Sequence, residues 1–165
     1  MRCCLPRRVF TVDLYERNPV IAALLEDALR RARAVPELVE VAGRMRLAGS
    51  DSIAALREIA ACARDGEAAR PASCSARPDV VYLDPMFPER RKSAAVKKKF
   101  QLLHGLEVPC EDEEALLDAA RMVRPRKVVV KRPVKGPYLA GVRPSYSIAG
   151  KAVRYDCYVG PADAR

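Results

Sequence analysis

A short apolar run that ends in an acid and a proline is the feature that most constrains this fold. Val80–Leu83 has the length of a buried strand, and Asp84 and Pro85 follow it directly. Proline cannot donate to a β-ladder, so the chain should leave the sheet at this point. Open α/β sheets bind ligands at the carboxyl ends of their strands. The pattern therefore predicts that Asp84 presents its carboxylate at a ligand-binding edge, with the aromatic ring of Phe87 close by.

Strand and helix signals alternate along the rest of the chain. Asn18 followed by Pro19 predicts a helix N-cap with proline at the first helical position, directly after a strand over residues 8–15. Further strands are predicted at residues 45–48, 79–83 and 127–131, helices from about residues 52 and 111, and a closing hairpin at 145–149 and 152–159. Residues 64–78, rich in Ala, Arg, Ser, Gly and Pro, are expected to form a flexible loop. The order predicts one α/β domain over residues 1–165, with a mainly parallel sheet and an antiparallel C-terminal edge.

Charge and cysteine usage narrow the class of partner. Thirty basic and 21 acidic residues give a net charge of +9, which attracts polyanions and favours nucleic acid as the partner. The six cysteines show no Cys-x-x-Cys spacing and His104 is the only histidine, so no metal site is predicted. No apolar run has the length of a membrane span or a secretory signal, and a cytoplasmic protein without membrane binding is expected.

Several blocks of sequence together resemble one known family. They are Tyr15-Glu16-Arg17-Asn18-Pro19, Val81-Tyr82-Leu83-Asp84-Pro85-Met86-Phe87-Pro88, Lys92-Ser93-Ala94 and Val128-Val129-Val130-Lys131-Arg132-Pro133. From about residue 8 to residue 160 the chain resembles the bacterial 16S ribosomal RNA (guanine-N2) methyltransferase J family. The resemblance implies a class I, Rossmann-like methyltransferase fold, S-adenosylmethionine as the cofactor, and a guanine exocyclic amine in 16S rRNA or the small ribosomal subunit as the methyl acceptor.

The chain departs from the family pattern at its N-terminal end. Family members carry a strand and a glycine-containing loop, which cradles the methionine half of the cofactor, ahead of the part matched here. None of the eight glycines lies in a strand-loop-helix fingerprint of that kind. We therefore expect an N-terminally truncated chain that lacks the first strand and the glycine-rich loop. Such a chain would bind S-adenosylmethionine weakly or not at all, and would be an incomplete, inactive fragment.

Two strand ends are candidate cofactor contacts. Glu16 ends the first strand just before a helix, where a carboxylate can accept hydrogen bonds from both ribose hydroxyls of an adenosine cofactor. The resemblance implies cofactor contact at Glu16 and Arg17. Asp51 and Ser52 follow the second strand and could meet the adenine, although capping of the next helix explains the same residues. A solvated acid at a helix start is the competing explanation for Glu16.

Asp84, Pro85 and Phe87 are the candidate catalytic residues. Asp84 would accept a hydrogen bond from the guanine amine, the Pro85 carbonyl would accept a second, and Phe87 would cover the base. Asp84 would also lie beside the cofactor, so it is counted among the cofactor-binding residues. A turn-forming acid before proline is the structural alternative.

Basic residues near this turn are candidate RNA contacts. A charge run is usually only a solvated surface, but its place beside the expected base pocket suits phosphate contacts that orient RNA. The set consists of Arg90, Arg91, Lys92, Lys97, Lys131 and Arg132.

Two other functions remain open on sequence grounds. A DNA amino-methyltransferase uses a related acidic-Pro-Pro-aromatic motif, but it should carry a target-recognition segment, which this chain lacks. A non-catalytic RNA-binding remnant would need only the basic surface. Binding of S-adenosylmethionine distinguishes an enzyme from such a remnant.

Overall fold

The computed structural model describes residues 10–64, 77–85 and 112–160. They belong to two compact units, Met1–Ser52 and Ile53–Arg165. None of the described helices combines the length and the apolar character that a membrane crossing requires. Cys157 carries a buried, free thiol, and four of the six cysteines lie outside the described residues.

The first unit is a strand-helix-strand arrangement. It contains β1 (Val12–Tyr15), α1 (Pro19–Arg33), the one-turn helix α2 (Val39–Ala42) and β2 (Met45–Gly49), and β1 pairs with β2 in parallel. The predicted cap of α1 is confirmed, because the Asn18 side chain accepts hydrogen bonds from the backbone nitrogens of Val20 and Ile21 at 2.9 and 3.3 Å. Pro19 is the first residue of α1, where the missing N–H costs nothing. This cap fixes the turn at the carboxyl end of β1.

The second unit is a four-stranded mixed sheet with helices. Its elements are α3 (Ser52–Arg64), β3 (Val80–Leu83), α4 (Glu113–Met122), β4 (Lys127–Pro133), a 3₁₀ turn (Leu139–Gly141), β5 (Tyr146–Ala149) and β6 (Val153–Val159). The strand order is β3-β4-β6-β5. The β3–β4 pair is parallel, whereas β6 runs antiparallel to both β4 and β5. The predicted antiparallel C-terminal edge is therefore present.

One face of this sheet forms the core of the second unit. Successive strand residues point to opposite faces, and the buried positions of β3 and β4 alternate accordingly. Val81 and Val130 lie in one buried cluster with the apolar side chains of α3 and α4, among them Leu117, which is only 1% exposed. Each such fully buried aliphatic side chain stabilises the fold by roughly 1.5–3 kcal/mol. The core thus fixes β3 and β4 side by side with their carboxyl ends at the same edge.

The opposite face of the sheet is open within the described residues. Val80, Tyr82 and Ile148 lie on it and are between 51% and 59% exposed. Lys127 and Lys131 of β4 share this face, because they alternate with the buried Val128 and Val130. Every second residue of β3 and β4 therefore carries its side chain to solvent.

Candidate functional site

Asp84 lies at the carboxyl end of β3, as the sequence predicted. The pairing of Leu83 with Val130 places Asp84 next to Lys131 on the neighbouring strand. The Lys131 Nζ donates a hydrogen bond to the Asp84 Oδ2 at 2.7 Å. The Asp84 side chain is 46% exposed, while Pro85 behind it is buried. The carboxylate is therefore accessible at the sheet edge and paired with a cation from β4.

The contact with Asp84 also governs the electrostatics of its neighbours. The hydrogen bond to Asp84 raises the pKa of Lys131, so its ammonium stays charged at neutral pH. Partial burial and, to a smaller extent, the negative charge of Asp84 raise the pKa of Tyr82, so its phenol stays neutral. The edge of β3 and β4 thus holds one acceptor carboxylate, one ammonium and one neutral phenol.

Arg132 points to the other face of the sheet and corrects one prediction. It is only 1% exposed, because it alternates with Lys131 and shares the buried face with Val130. Its Nε donates to the Pro137 carbonyl at 2.8 Å and its Nη1 to the Glu113 Oε1 at 3.2 Å. Burial lowers the pKa of Arg132, and the charge of Glu113 opposes that shift. The predicted RNA contact at Arg132 is not supported, since its side chain is buried and hydrogen-bonded within the protein.

The loop that follows β4, residues 134–138 and called here the β4 loop, is held by main-chain contacts to two arginines. Arg132 binds its Pro137 carbonyl, and Arg154 of β6 donates to the carbonyls of Val134 and Gly136 at 2.9 and 3.2 Å. The other side of Arg154 faces Asp156, which is fully buried. Both Asp156 oxygens accept hydrogen bonds from Arg154 at 2.8 Å.

This arginine network was not predicted from the sequence. An arginine and an aspartate two residues apart on one face of a predicted strand were the available signal. The network anchors the β4 loop at the end of the strand that carries Lys131.

The candidate cofactor residues lie at the carboxyl edge of the first unit. The backbone nitrogen of Glu16 donates to the Gly49 carbonyl at 3.2 Å, which joins the ends of β1 and β2. The Glu16 Oε1 accepts a hydrogen bond from the backbone nitrogen of Asn18 at 2.8 Å. Arg17 and Asp51 are exposed beside this edge, and Ser52 is the first residue of α3. The structure therefore brings Glu16, Arg17 and Asp51 together at one edge.

This edge fits the adenosine part of S-adenosylmethionine. The bond to Asn18 fixes the Glu16 carboxylate, and a carboxylate has further lone pairs that can accept from ribose hydroxyls. Asp51 adds a second acceptor after the adjacent strand. These two acceptors therefore suit a nucleoside with a free diol and an amino group.

The remaining predicted site residues lie outside the described parts of the chain. They are Phe87, Arg90, Arg91, Lys92 and Lys97. Most of the predicted flexible loop at 64–78 also lies there. Over residues 10–64, 77–85 and 112–160, no three His, Cys, Asp or Glu side chains are grouped as metal ligands would be.

Comparisons with known proteins place the chain in a family. A family model described as "Putative SAM-dependent methyltransferase" matches residues 9–160. A ribosomal RNA small subunit methyltransferase J from Pseudomonas aeruginosa (strain LESB58) is 50% identical over 147 residues, which are 89% of this chain and 51% of that protein. The protein of the same name from Neisseria meningitidis is 43% identical, with 90% of this chain and 54% of that protein covered. The chain thus spans about half the length of the curated relatives it matches.

A solved structure supports the fold. The crystal structure of a SAM-dependent methyltransferase from Neisseria gonorrhoeae matches with a TM-score of 0.64 and 34% identity, over 92% of this chain and 53% of that one. The predicted Rossmann-like class I fold is confirmed by this match, and the names of the relatives confirm the predicted resemblance. Because the family model covers most of its length, the chain belongs to this family of S-adenosylmethionine-dependent methyltransferases.

Proposed function

We propose that the protein methylates the exocyclic N2 amine of a guanine in 16S ribosomal RNA, with S-adenosylmethionine as the methyl donor, in the cytoplasm. The observation that carries the proposal is the accessible carboxylate of Asp84 at the carboxyl edge of β3. The relatives named ribosomal RNA small subunit methyltransferase J support RNA of the small subunit as the substrate.

Asp84 is suited to capture and orient an amine. An ionised carboxylate only accepts hydrogen bonds, so it selects a donor such as the guanine NH2 group over a carbonyl. A conjugated amine is a poor nucleophile, because its lone pair is shared with the ring. Acceptors that hold it in the attacking orientation therefore favour the transition state more than the ground state. In this proposal Asp84 and the Pro85 carbonyl supply those acceptors, and Phe87 covers the base.

The cofactor contacts come from the first unit. S-adenosylmethionine supplies, when bound, a methyl group on a positively charged sulfur that the amine can attack. Glu16 and Arg17 hold the ribose side in this proposal, and Asp51 and Ser52 meet the adenine. Asp84 is proposed to accept a hydrogen bond from the amine that receives the methyl group.

The positive charge of the chain serves RNA binding. A net charge of +9 favours binding of the phosphate backbone without reading its sequence. Arg90, Arg91, Lys92 and Lys97 follow the Asp84 turn in sequence and are proposed as phosphate contacts. The target guanine must leave its stack to reach Asp84, as in other enzymes that modify bases.

Replacing Asp84 tests the proposal directly. In a version of the protein that also carries the strand and the glycine-containing loop expected upstream, Asp84→Ala should reduce methyl transfer to 16S rRNA about hundredfold or more, because the amine loses the acceptor that orients it. Asp79→Ala is the matched control, since Asp79 is also an exposed acid but lies at the amino end of β3. Transfer is followed with radiolabelled S-adenosylmethionine, and mass spectrometry of the digested RNA identifies N2-methylguanosine.

The outcomes separate the competing functions. Unchanged transfer in Asp84→Ala would contradict the proposed role of this residue. Transfer to duplex DNA in preference to rRNA would favour a DNA amino-methyltransferase. Calorimetry that detects RNA binding but no binding of S-adenosylmethionine would favour an RNA-binding remnant.

A further inference from the structure

Lys131 forms an ion pair with the carboxylate of Asp84. We propose that Lys131 is a positioning residue, which orients the Asp84 carboxylate toward the acceptor amine instead of binding RNA phosphate. The inference rests on the proposed function and adds a specific task for a residue of β4. Its basis is the 2.7 Å hydrogen bond between the Lys131 Nζ and the Asp84 Oδ2.

The two partners differ in how firmly their backbones are held. Lys131 lies on β4, which pairs with β3 on one side and with β6 on the other, where Lys131 faces Tyr155. Asp84 comes after the last residue of β3, just before the turn at Pro85. The backbone of Lys131 is therefore held on both sides. Through its hydrogen bond, the Lys131 ammonium can restrain the orientation of the Asp84 carboxylate at the strand end.

The pairing leaves Asp84 able to bind a second donor. Lys131 binds Oδ2, and an ionised carboxylate has lone pairs on both oxygens, so Oδ1 remains available for an amine. Because an ammonium has no acceptor, Lys131 cannot itself capture the guanine NH2 group. The arrangement thus assigns one oxygen to orientation and the other to substrate.

Lys127 provides a matched comparison on the same strand. It lies four residues before Lys131 on the same open face and is similarly half-buried, about 13 Å away along the strand. Its ammonium lies 5.4 Å from the centroid of the Tyr146 ring instead of on an acid. Removing either lysine deletes the same charge from the same face, but only the loss of Lys131 removes a contact with Asp84.

The test compares the rate of methyl transfer and the RNA affinity of three variants, made in the same upstream-extended version of the protein. Lys131→Met should lower the single-turnover rate of methyl transfer at saturating 16S rRNA about 10- to 100-fold, because the carboxylate loses its orientation. Lys131→Arg should recover part of that rate, since a guanidinium still donates to the carboxylate. Lys127→Met should leave the rate close to that of the unmodified chain. Thermal unfolding of each variant shows that it is folded.

The salt dependence of RNA binding separates positioning from phosphate contact. A lysine that neutralises one phosphate contributes about 0.7–0.9 to the slope of log affinity against log salt. The inference expects no change of slope in Lys131→Met. A slope reduced by that amount would overturn it and identify Lys131 as a phosphate contact. This measurement needs no turnover and is decisive even in a preparation that transfers no methyl groups.

The two hypotheses fail in different ways. Absence of S-adenosylmethionine-dependent methylation of 16S rRNA would refute the proposed function, and a fully active Asp84→Ala variant would refute the proposed role of Asp84. An inactive Asp84→Ala variant together with a fully active Lys131→Met variant would refute only the positioning role.

Discussion

The buried carboxylate of Asp156 is expected to contribute far more to the free energy of unfolding than an exposed carboxylate that is also paired with an arginine. Asp156 is fully buried and binds an Arg154 side chain that is only 13% exposed. Asp156→Asn keeps the shape but removes the charge that balances this guanidinium. Breaking a buried pair by removing one partner costs about 3–5 kcal/mol, because the remaining charge is left uncompensated. The amide oxygen of asparagine can still accept the bonds that the Arg154 Nε and the Ser147 Oγ donate to Oδ1, so the lower end, about 3 kcal/mol, is expected.

Asp13 of β1 supplies the matched control. It forms a pair of the same geometry with Arg46, with Nε–Oδ1 and Nη2–Oδ2 distances of 2.6 and 2.9 Å, but the Arg46 side chain is 64% exposed. Exposed pairs contribute only about 0.2–1 kcal/mol, so Asp13→Asn should have a small effect.

Urea unfolding followed by circular dichroism measures both variants. With a denaturant slope near 2 kcal/mol per M, a loss of about 3 kcal/mol lowers the midpoint by roughly 1.5 M. A loss below about 1 kcal/mol in Asp156→Asn, equal to that in Asp13→Asn, would refute the argument that burial sets the value of this pair.

Two further predictions concern the Asp84 pair and the core. Asp84→Asn should bring the pKa of Lys131 down toward its ordinary value of 10.5, measured by NMR titration of the lysine side chain, while the pKa of Lys127 stays where it is. Because Asp84 raises the pKa of Lys131 in the folded chain, the pair stabilises the fold below pH 10.5, and this contribution is lost as the pH rises through the raised pKa of Lys131. If Asp84→Asn left the dependence of stability on pH unchanged above pH 10.5, this prediction would be contradicted. Leu117→Ala should cost about 2–5 kcal/mol of unfolding free energy because Leu117 is 1% exposed, whereas Leu24→Ala, at 55% exposed, should stay within about 0.5 kcal/mol. Equal losses in the two variants, measured by urea unfolding, would contradict the assignment of Leu117 to the core.

Local sequence predicted most regular elements because their signals are local. The Asn18 cap, the apolar residues of β4 and the break between β5 and β6 each lie within a few neighbouring residues. The short helix α2 has no such signal, since Leu38 at its N-cap makes no side-chain bond. The 3₁₀ turn at Leu139–Gly141 likewise depends on Glu113, which accepts from the Ala140 nitrogen at 3.0 Å across the fold.

The candidate site shows the same division between local and long-range information. The place of Asp84 at a strand end follows from the residues on either side of it. Its partner Lys131 does not, because the pairing depends on the register of β3 against β4, which are 47 residues apart at this contact. Arg132 could have been assigned correctly, since adjacent strand residues point to opposite faces and its face is that of Val130.

The way in which the β4 loop is anchored has a consequence for how the protein can change. Arg132 and Arg154 recognise carbonyl oxygens of Val134, Gly136 and Pro137, which every amino acid possesses. None of these bonds involves the exposed side chain of Lys135, so this position can be exchanged while the backbone keeps its path. Lys135 is therefore a suitable position for introducing a new functional side chain beside the carboxyl end of β4, on a backbone that hydrogen bonds hold in place.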